Sequence, residues 1–178
     1  QMLKTLCDNH GIELNVLPAK QNNGEVVSST LIRSLIAEGN VKKANELLGY
    51  RYFIEKKIIH GNEIGRQYDF PTINQKISND RFCPRFGVYA SVVTIDDEIY
   101  MGVTNIGTKP TVSDDNKVIC ETNIIGFDGD LYGKTLPIKL VEFIRDEKKF
   151  ADVSSLMSQV ECDREKAILM LTKGGKNG

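Results

Sequence analysis

The sequence has no excess charge of either sign. Its 178 residues include 23 Lys and Arg against 24 Asp and Glu, a formal net charge of −1, and its pI is near 6.2. A strongly basic surface is thereby excluded, so no nucleic-acid or anionic-membrane partner is expected. A local basic pocket for a phosphate is compatible with the balance. Long apolar runs are also lacking: no stretch approaches the ~20 residues that span a bilayer. The first residues do not show a signal-peptide pattern. The four cysteines, Cys7, Cys83, Cys120 and Cys162, are far apart, and the two histidines are His10 and His60. No zinc-ligand spacing and no disulfide framework follow, so a reducing cytoplasm is the expected location. Internal repeats and low-complexity segments are absent. What remains is 40% hydrophobic and 26% charged, the mix of an ordinary globular domain, or of one domain with a fragment beside it.

The texture changes near residue 50. Before it, Ile12–Leu17 alternates apolar and polar residues and stops at Pro18, which predicts a strand. Gln21–Glu25 is a polar turn. Ser28 or Ser29 can cap a helix with Leu31, Ile32, Leu35 and Ile36 on one face, ending at Gly39. A second helix runs from Val41 to Gly49. Two such short helices need another body to pack on. After residue 50, period-2 alternation predicts strands at Tyr52–Ile59, Gly87–Ile95, Glu98–Thr104, Val118–Ile125 and Leu136–Ile144, with Asp96-Asp97 as a hairpin turn. Short strands joined by glycine-rich links suggest a closed antiparallel barrel. From Ser154 or Ser155 to about Thr172 the spacing of Leu156, Val160, Ala167 and Leu171 predicts a helix.

The densest chemical signal runs from His60 to Asn74. Gly61 and Gly65 follow a strand and can turn backbone N–H groups toward an anion or form a plain surface turn. The Gly-Lys-Ser/Thr ending of a Walker A loop is missing. Pro71 fixes the backbone ahead of a short extended segment, in which Thr72 and Asn74 share one face. A hydroxyl and an amide there can hold Mg²⁺ and a phosphate, or bond to neighbouring backbone.

These residues, Gly61…Gly65-Arg66…Phe70-Pro71-Thr72-x-Asn74, resemble the nucleotide-binding motif of the riboflavin kinase family. The resemblance continues through Gly87-Val88-Tyr89, Gly102–Thr111, Glu121-Thr122, Asp130–Lys134 and Phe143–Phe150, over about residues 52–172. Glu25–Arg33 is similar to the end of the adenylyltransferase module of bacterial bifunctional FAD synthetases, where a Ser-Ser-Thr-x-Ile-Arg stretch helps bind ATP phosphates at a helix N-terminus. A plain capped helix fits the same residues. The resemblance implies a mainly β fold: a six-stranded antiparallel Greek-key barrel with a C-terminal helix, preceded by a small α-helical remnant of an α/β nucleotidyltransferase domain. The expected division is residues 1–49 for that remnant, 50–173 for the kinase domain and 174–178 for a disordered tail.

The implied reaction moves the γ-phosphoryl of ATP to the ribityl 5′-hydroxyl of riboflavin, giving FMN and ADP. Glu121, sharing a strand face with Ile119 and Asn123, is the implied general base. Thr72 resembles the family's metal-ligating threonine, with Asn74 near the γ-phosphate or the metal; Mg²⁺ or another divalent ion is the expected cofactor. Gly61, Gly65, Arg66 and Pro71 belong to the nucleotide side, although Arg66 can equally be a solvated loop residue. Asn105, Gly107, Lys109, Thr111, Arg145 and Phe150 are expected around the flavin. So is Tyr132, unless it is only a half-buried hairpin tip. Lys148 and Lys149 are expected to face solvent. Several positions depart from the family's usual residues: Asp69 for glycine, Ile73 for alanine, Lys109 for arginine, Asn123 for histidine and Asp146 for proline. None of them is Thr72, Asn74 or Glu121. The alternative is a catalytically silent flavin- or nucleotide-binding module. FMN adenylylation is not expected, because the remainder of that module is missing from this chain.

Overall fold

The structure, a computed structural model, describes residues 2–61, 70–77, 82–109 and 117–174. It begins with helix α1 (Met2–Asn9), which buries no side chain. The strand expected at Ile12–Leu17 does not form. Ile12, Val16 and Leu17 are well exposed, and among the described residues no strand pairs with this run. The polar turn after it closes a minimal hairpin of β1 (Gln21–Asn22) and β2 (Glu25–Val26). Asn23 and Gly24 at its tip take φ of 49° and 83°, the left-handed geometry such a turn demands.

Ser28 caps α2 (Ser29–Ala37), its Oγ accepting the Leu31 N–H at 3.2 Å. Asn40 caps α3 (Val41–Leu48), and Gly49 ends it in the left-handed region. Val41, Ala44 and Leu47 are the buried face of α3. Asn45 stitches that face to the barrel. Its Nδ2 donates to the Leu140 carbonyl at 2.9 Å and its Oδ1 accepts the Tyr52 N–H at 2.7 Å.

Six strands follow: β3 (Phe53–Ile59), β4 (Thr72–Ile77), β5 (Gly87–Ile95), β6 (Glu98–Lys109), β7 (Lys117–Ile124) and β8 (Thr135–Arg145). They close in the order β3-β4-β7-β6-β5-β8, every pair antiparallel. The β5-β6-β7 meander with β4 returning beside β7 is a Greek key. Among the described residues, closure gives every barrel strand a partner on each side. Asp96 and Asp97 both have positive φ and turn β5 into β6.

The barrel interior holds Ile54, Ile58, Tyr89, Val93, Ile106, Cys120 and Ile138 among others. Burial pushes the Cys120 thiol up to about 12, so it stays neutral. Ser91, Thr104 and Thr122 form a buried hydroxyl chain, with oxygen separations of 2.7 and 2.9 Å. Outside the barrel, α4 (Val153–Gly174) packs on β5, β6 and β8. This explains why β5 is buried on both faces along most of its length.

The helix expected from Ser154 or Ser155 starts slightly earlier, at Val153. Asp152 caps α4, its Oδ1 accepting the Ser155 N–H at 2.7 Å. A charged acceptor suits the unpaired N–H groups of a helix start. That backbone bond, above all, holds the Asp152 carboxyl below its ordinary range. Among the described residues no helix is long and apolar enough to cross a membrane.

Candidate functional site: two clefts that share one threonine

On β7, Cys120, Thr122 and Ile124 point into the barrel, while Ile119, Glu121 and Asn123 face outward. The register sets Glu121 opposite Asn74 and Asn123 opposite Thr72. Four polar side chains therefore meet on the outer face of two neighbouring strands. The Thr72 hydroxyl donates to Glu121 Oε1 at 2.8 Å. Asn123 Nδ2 donates to the Pro71 carbonyl at 2.8 Å, fixing the chain where it enters β4. Asn74 is 4% exposed. It lies under Gly61, where an added Cβ would fall on the Asn74 amide. Only glycine lets the chain pass so close.

The first cleft lies between this face and α4, with a volume of about 470 Å³. Thr72, Glu121, Asn105 and Arg145 supply its polar wall. Phe70, Phe150 and the α4 residues Leu156, Met157 and Val160 supply the apolar one. Glu147 reaches across it. Asn105 Nδ2 stands 3.5 Å from Glu147 Oε1, and a Cβ on Gly107 would fall on that carboxylate. Lys148 is exposed at the rim, as expected, although it also borders the cleft.

The second cleft, about 690 Å³, lies on the other side of Pro71 and Thr72, between His60 and the loop of Phe127–Tyr132. Tyr132 stacks on His60, with ring centroids 3.7 Å apart and planes inclined by 21°. Asp130 Oδ1 accepts the Tyr132 N–H at 2.9 Å and holds the loop. Tyr132 is thus not among the residues of the first cleft, where Asn105, Arg145 and Phe150 gather. In the sequence His60 signals only the end of a strand and a turn, so this stacking is not legible there.

Thr72 lines both clefts. Gly65, Arg66, Asp69 and Thr111 lie outside the described residues, as does the Lys109 side chain; the Lys109 backbone pairs with Lys117. Asp163, Glu147 and the α4 wall also line the first cleft, and the motifs of the sequence do not mark them as site residues. For Asp163 a signal existed. It is an acidic residue within the apolar stripe of Leu156, Val160 and Ala167, and a charge there needs a buried partner.

The donors at Thr72 and Asn74 suit a hard cation in kind: a hydroxyl oxygen, an amide oxygen and the nearby Glu121 carboxylate. They are few, which fits Mg²⁺, an ion that keeps waters and substrate phosphates as its other ligands. Among the described residues no cluster of three or more His, Cys, Asp or Glu could hold a metal by itself.

Comparison with known proteins agrees with this architecture. The family model for riboflavin kinase (flavokinase) matches residues 48–171. A bifunctional riboflavin kinase/FMN adenylyltransferase of Listeria monocytogenes is 36% identical over 153 residues, covering 86% of this chain and 49% of that protein. Its Bacillus subtilis counterpart is 39% identical over 144 residues, covering 80% and 46%. The chain therefore spans about half the length of the curated relatives it matches. A solved structure described as a macrolide-efflux protein from Streptococcus pneumoniae shares the fold. Its TM-score is 0.77 at 34% identity, over 91% of this chain and 53% of that one. With the barrel, the Pro71–Asn74 segment and Glu121 in one register, the chain belongs to the riboflavin kinase family.

Proposed function

We propose that the barrel transfers the γ-phosphoryl group of ATP to the ribityl 5′-hydroxyl of riboflavin, releasing FMN and ADP. The observation that carries this reading is the position of Thr72. It stands on the common wall of two clefts with its hydroxyl on Glu121. Phosphoryl transfer needs donor and acceptor held in line at one point, each in its own site.

The cleft under α4, walled by Phe70, Phe150 and aliphatic side chains, suits a broad planar ring. We assign it to riboflavin, with Asn105 and Arg145 beside it. The cleft at His60 and Tyr132 then takes the nucleotide, with Gly61, Pro71 and Asn74 at its phosphate end. Tyr132 accordingly moves from the flavin side to the nucleotide side. Glu121 faces the flavin cleft. Its carboxylate accepts the proton as the ribityl O–H bond breaks, the new O–P bond forms and the bond from phosphorus to the departing ADP oxygen breaks. A general base of this kind supplies about 10²–10⁴-fold in rate. Bound Mg²⁺, held by Thr72 and Asn74 with ATP oxygens, would neutralise developing phosphate charge.

We also read residues 1–49 as belonging to an adenylyltransferase module, and the remainder of that module as the partner of this barrel. The 153-residue match to the Listeria protein supports this. Only seven residues follow the end of the kinase family match, so the longer alignment must extend well before residue 48.

The test is direct. The purified protein, incubated with riboflavin, ATP and Mg²⁺, is expected to yield FMN by chromatography. Flavin binding without FMN, under any divalent metal, would favour the silent binding module instead.

A further inference from the structure

Among the described residues, one buried ion pair stands beside the cleft assigned to riboflavin, and its acid has no part in the transfer step. Asp163 lies on α4 and Arg145 closes β8; their side chains are 3% and 14% exposed. Arg145 Nε donates to both Asp163 oxygens, at 3.0 and 2.9 Å, and Nη2 donates to Oδ2 at 2.7 Å. Arg145 Nη1 donates to the Asp146 carbonyl at 2.8 Å. Gln159, one turn back on α4, donates to Asp163 Oδ1 at 3.0 Å. Both members of the pair line the cleft under α4.

Such an arginine has little freedom. A forked contact fixes the guanidinium plane, and the nearby carboxylate balances its charge. The same contact ties three pieces of the cleft together: the end of β8, the segment starting at Asp146, and α4. Phe150, at the end of that segment, lies with its ring centroid 6.0 Å from Arg145 Cζ. If the pair were only a stabilising device, an apolar pair would serve as well or better, because burying two charges is costly. Here the pair sits in the wall of a binding cleft.

We infer that Asp163 is a positioning residue for riboflavin. It holds Arg145 with its remaining N–H groups toward the cleft and balances its charge, so that the wall accepts an uncharged planar ring bearing hydrogen-bond acceptors. The inference rests on the assignment of this cleft to the flavin. Asp163 acts through Arg145 and does not touch the reacting atoms.

The experiment measures riboflavin dissociation by flavin fluorescence and steady-state KM for both substrates in wild type, Asp163→Asn, Asp163→Glu and Gln159→Leu. Asp163→Asn is expected to weaken riboflavin binding by about tenfold or more, since breaking one side of a buried pair is costly. KM for ATP should stay at the wild-type value. Asp163→Glu keeps the charge and should recover much of the loss. A merely structural role would lower the active fraction and melting temperature while leaving the two substrates' constants alone or moving both together. Should Asp163→Asn not fold, Gln159→Leu decides: it removes one support of Asp163 and should weaken riboflavin a few-fold with ATP unmoved. Wild type that turns over, with the folded Asp variant or the Gln variant binding riboflavin normally, overturns the positioning role alone. Wild type that neither binds riboflavin nor makes FMN overturns the proposed function and this inference with it.

Discussion

At the scale of single residues, the site depends on few side chains placed by register. Thr72 and Glu121 meet because β4 and β7 pair with Asn74 opposite Glu121, and the alternation of a strand sends these residues to one face. Removing the Thr72 hydroxyl while keeping its shape, as in Thr72→Val, breaks a hydrogen bond to a charged group. The expected loss in kcat is at least about tenfold, with riboflavin affinity changed much less; steady-state kinetics with a fluorescence titration checks both. Thr72→Ser retains the hydroxyl and should retain most of the rate. The outward face of Glu121 was legible in the sequence from alternation with Cys120 and Thr122. The partner of Arg145 was harder to find. Arg145 and Asp163 are 18 residues apart on a strand and a helix, and no periodicity links two different elements. The one clue, an acid in an apolar stripe, is informative only after the helix face is known to be buried.

At the scale of elements, local chemistry decided most boundaries. The Gly87–Ile95 strand and the Asp96-Asp97 turn were readable because turn residues with positive φ bracket a period-2 run. The Ile12–Leu17 run had the same alternation and failed to form a strand, since pairing is a property of two segments and one alone cannot show it. Tyr132 illustrates the same point: its loop was evident, but the stacking partner His60 is brought in by barrel closure. The start of α4 went to Asp152 because its carboxylate reaches the Ser155 N–H. Asp152→Ala should lower the melting temperature at about pH 7 through loss of the N-cap. The sign of its pH dependence follows from the depressed carboxyl: the contribution is present above the ordinary aspartate value of 3.8 and is lost as pH falls through the lower folded value. The difference in melting temperature between wild type and Asp152→Ala should therefore shrink in acid, which thermal melts at several pH values will show.

At the scale of the whole molecule, the barrel brings two sites to a shared wall. The near-neutral net charge accords with the proposed reaction, in which the anion to be handled is one nucleotide and would be held by a few side chains and a metal rather than by a basic surface. The helical pair α2 and α3 is tied to the barrel through Asn45 and a buried Val41, so the barrel and the helices before it are packed together. The central claim is that Glu121 takes the proton of the acceptor hydroxyl at the junction of the clefts. It is tested most directly by measuring kcat and the riboflavin dissociation constant together in Glu121→Gln. Loss of about 10²-fold or more in kcat, with riboflavin bound as tightly as in wild type, is the predicted result; turnover at the wild-type rate would contradict it.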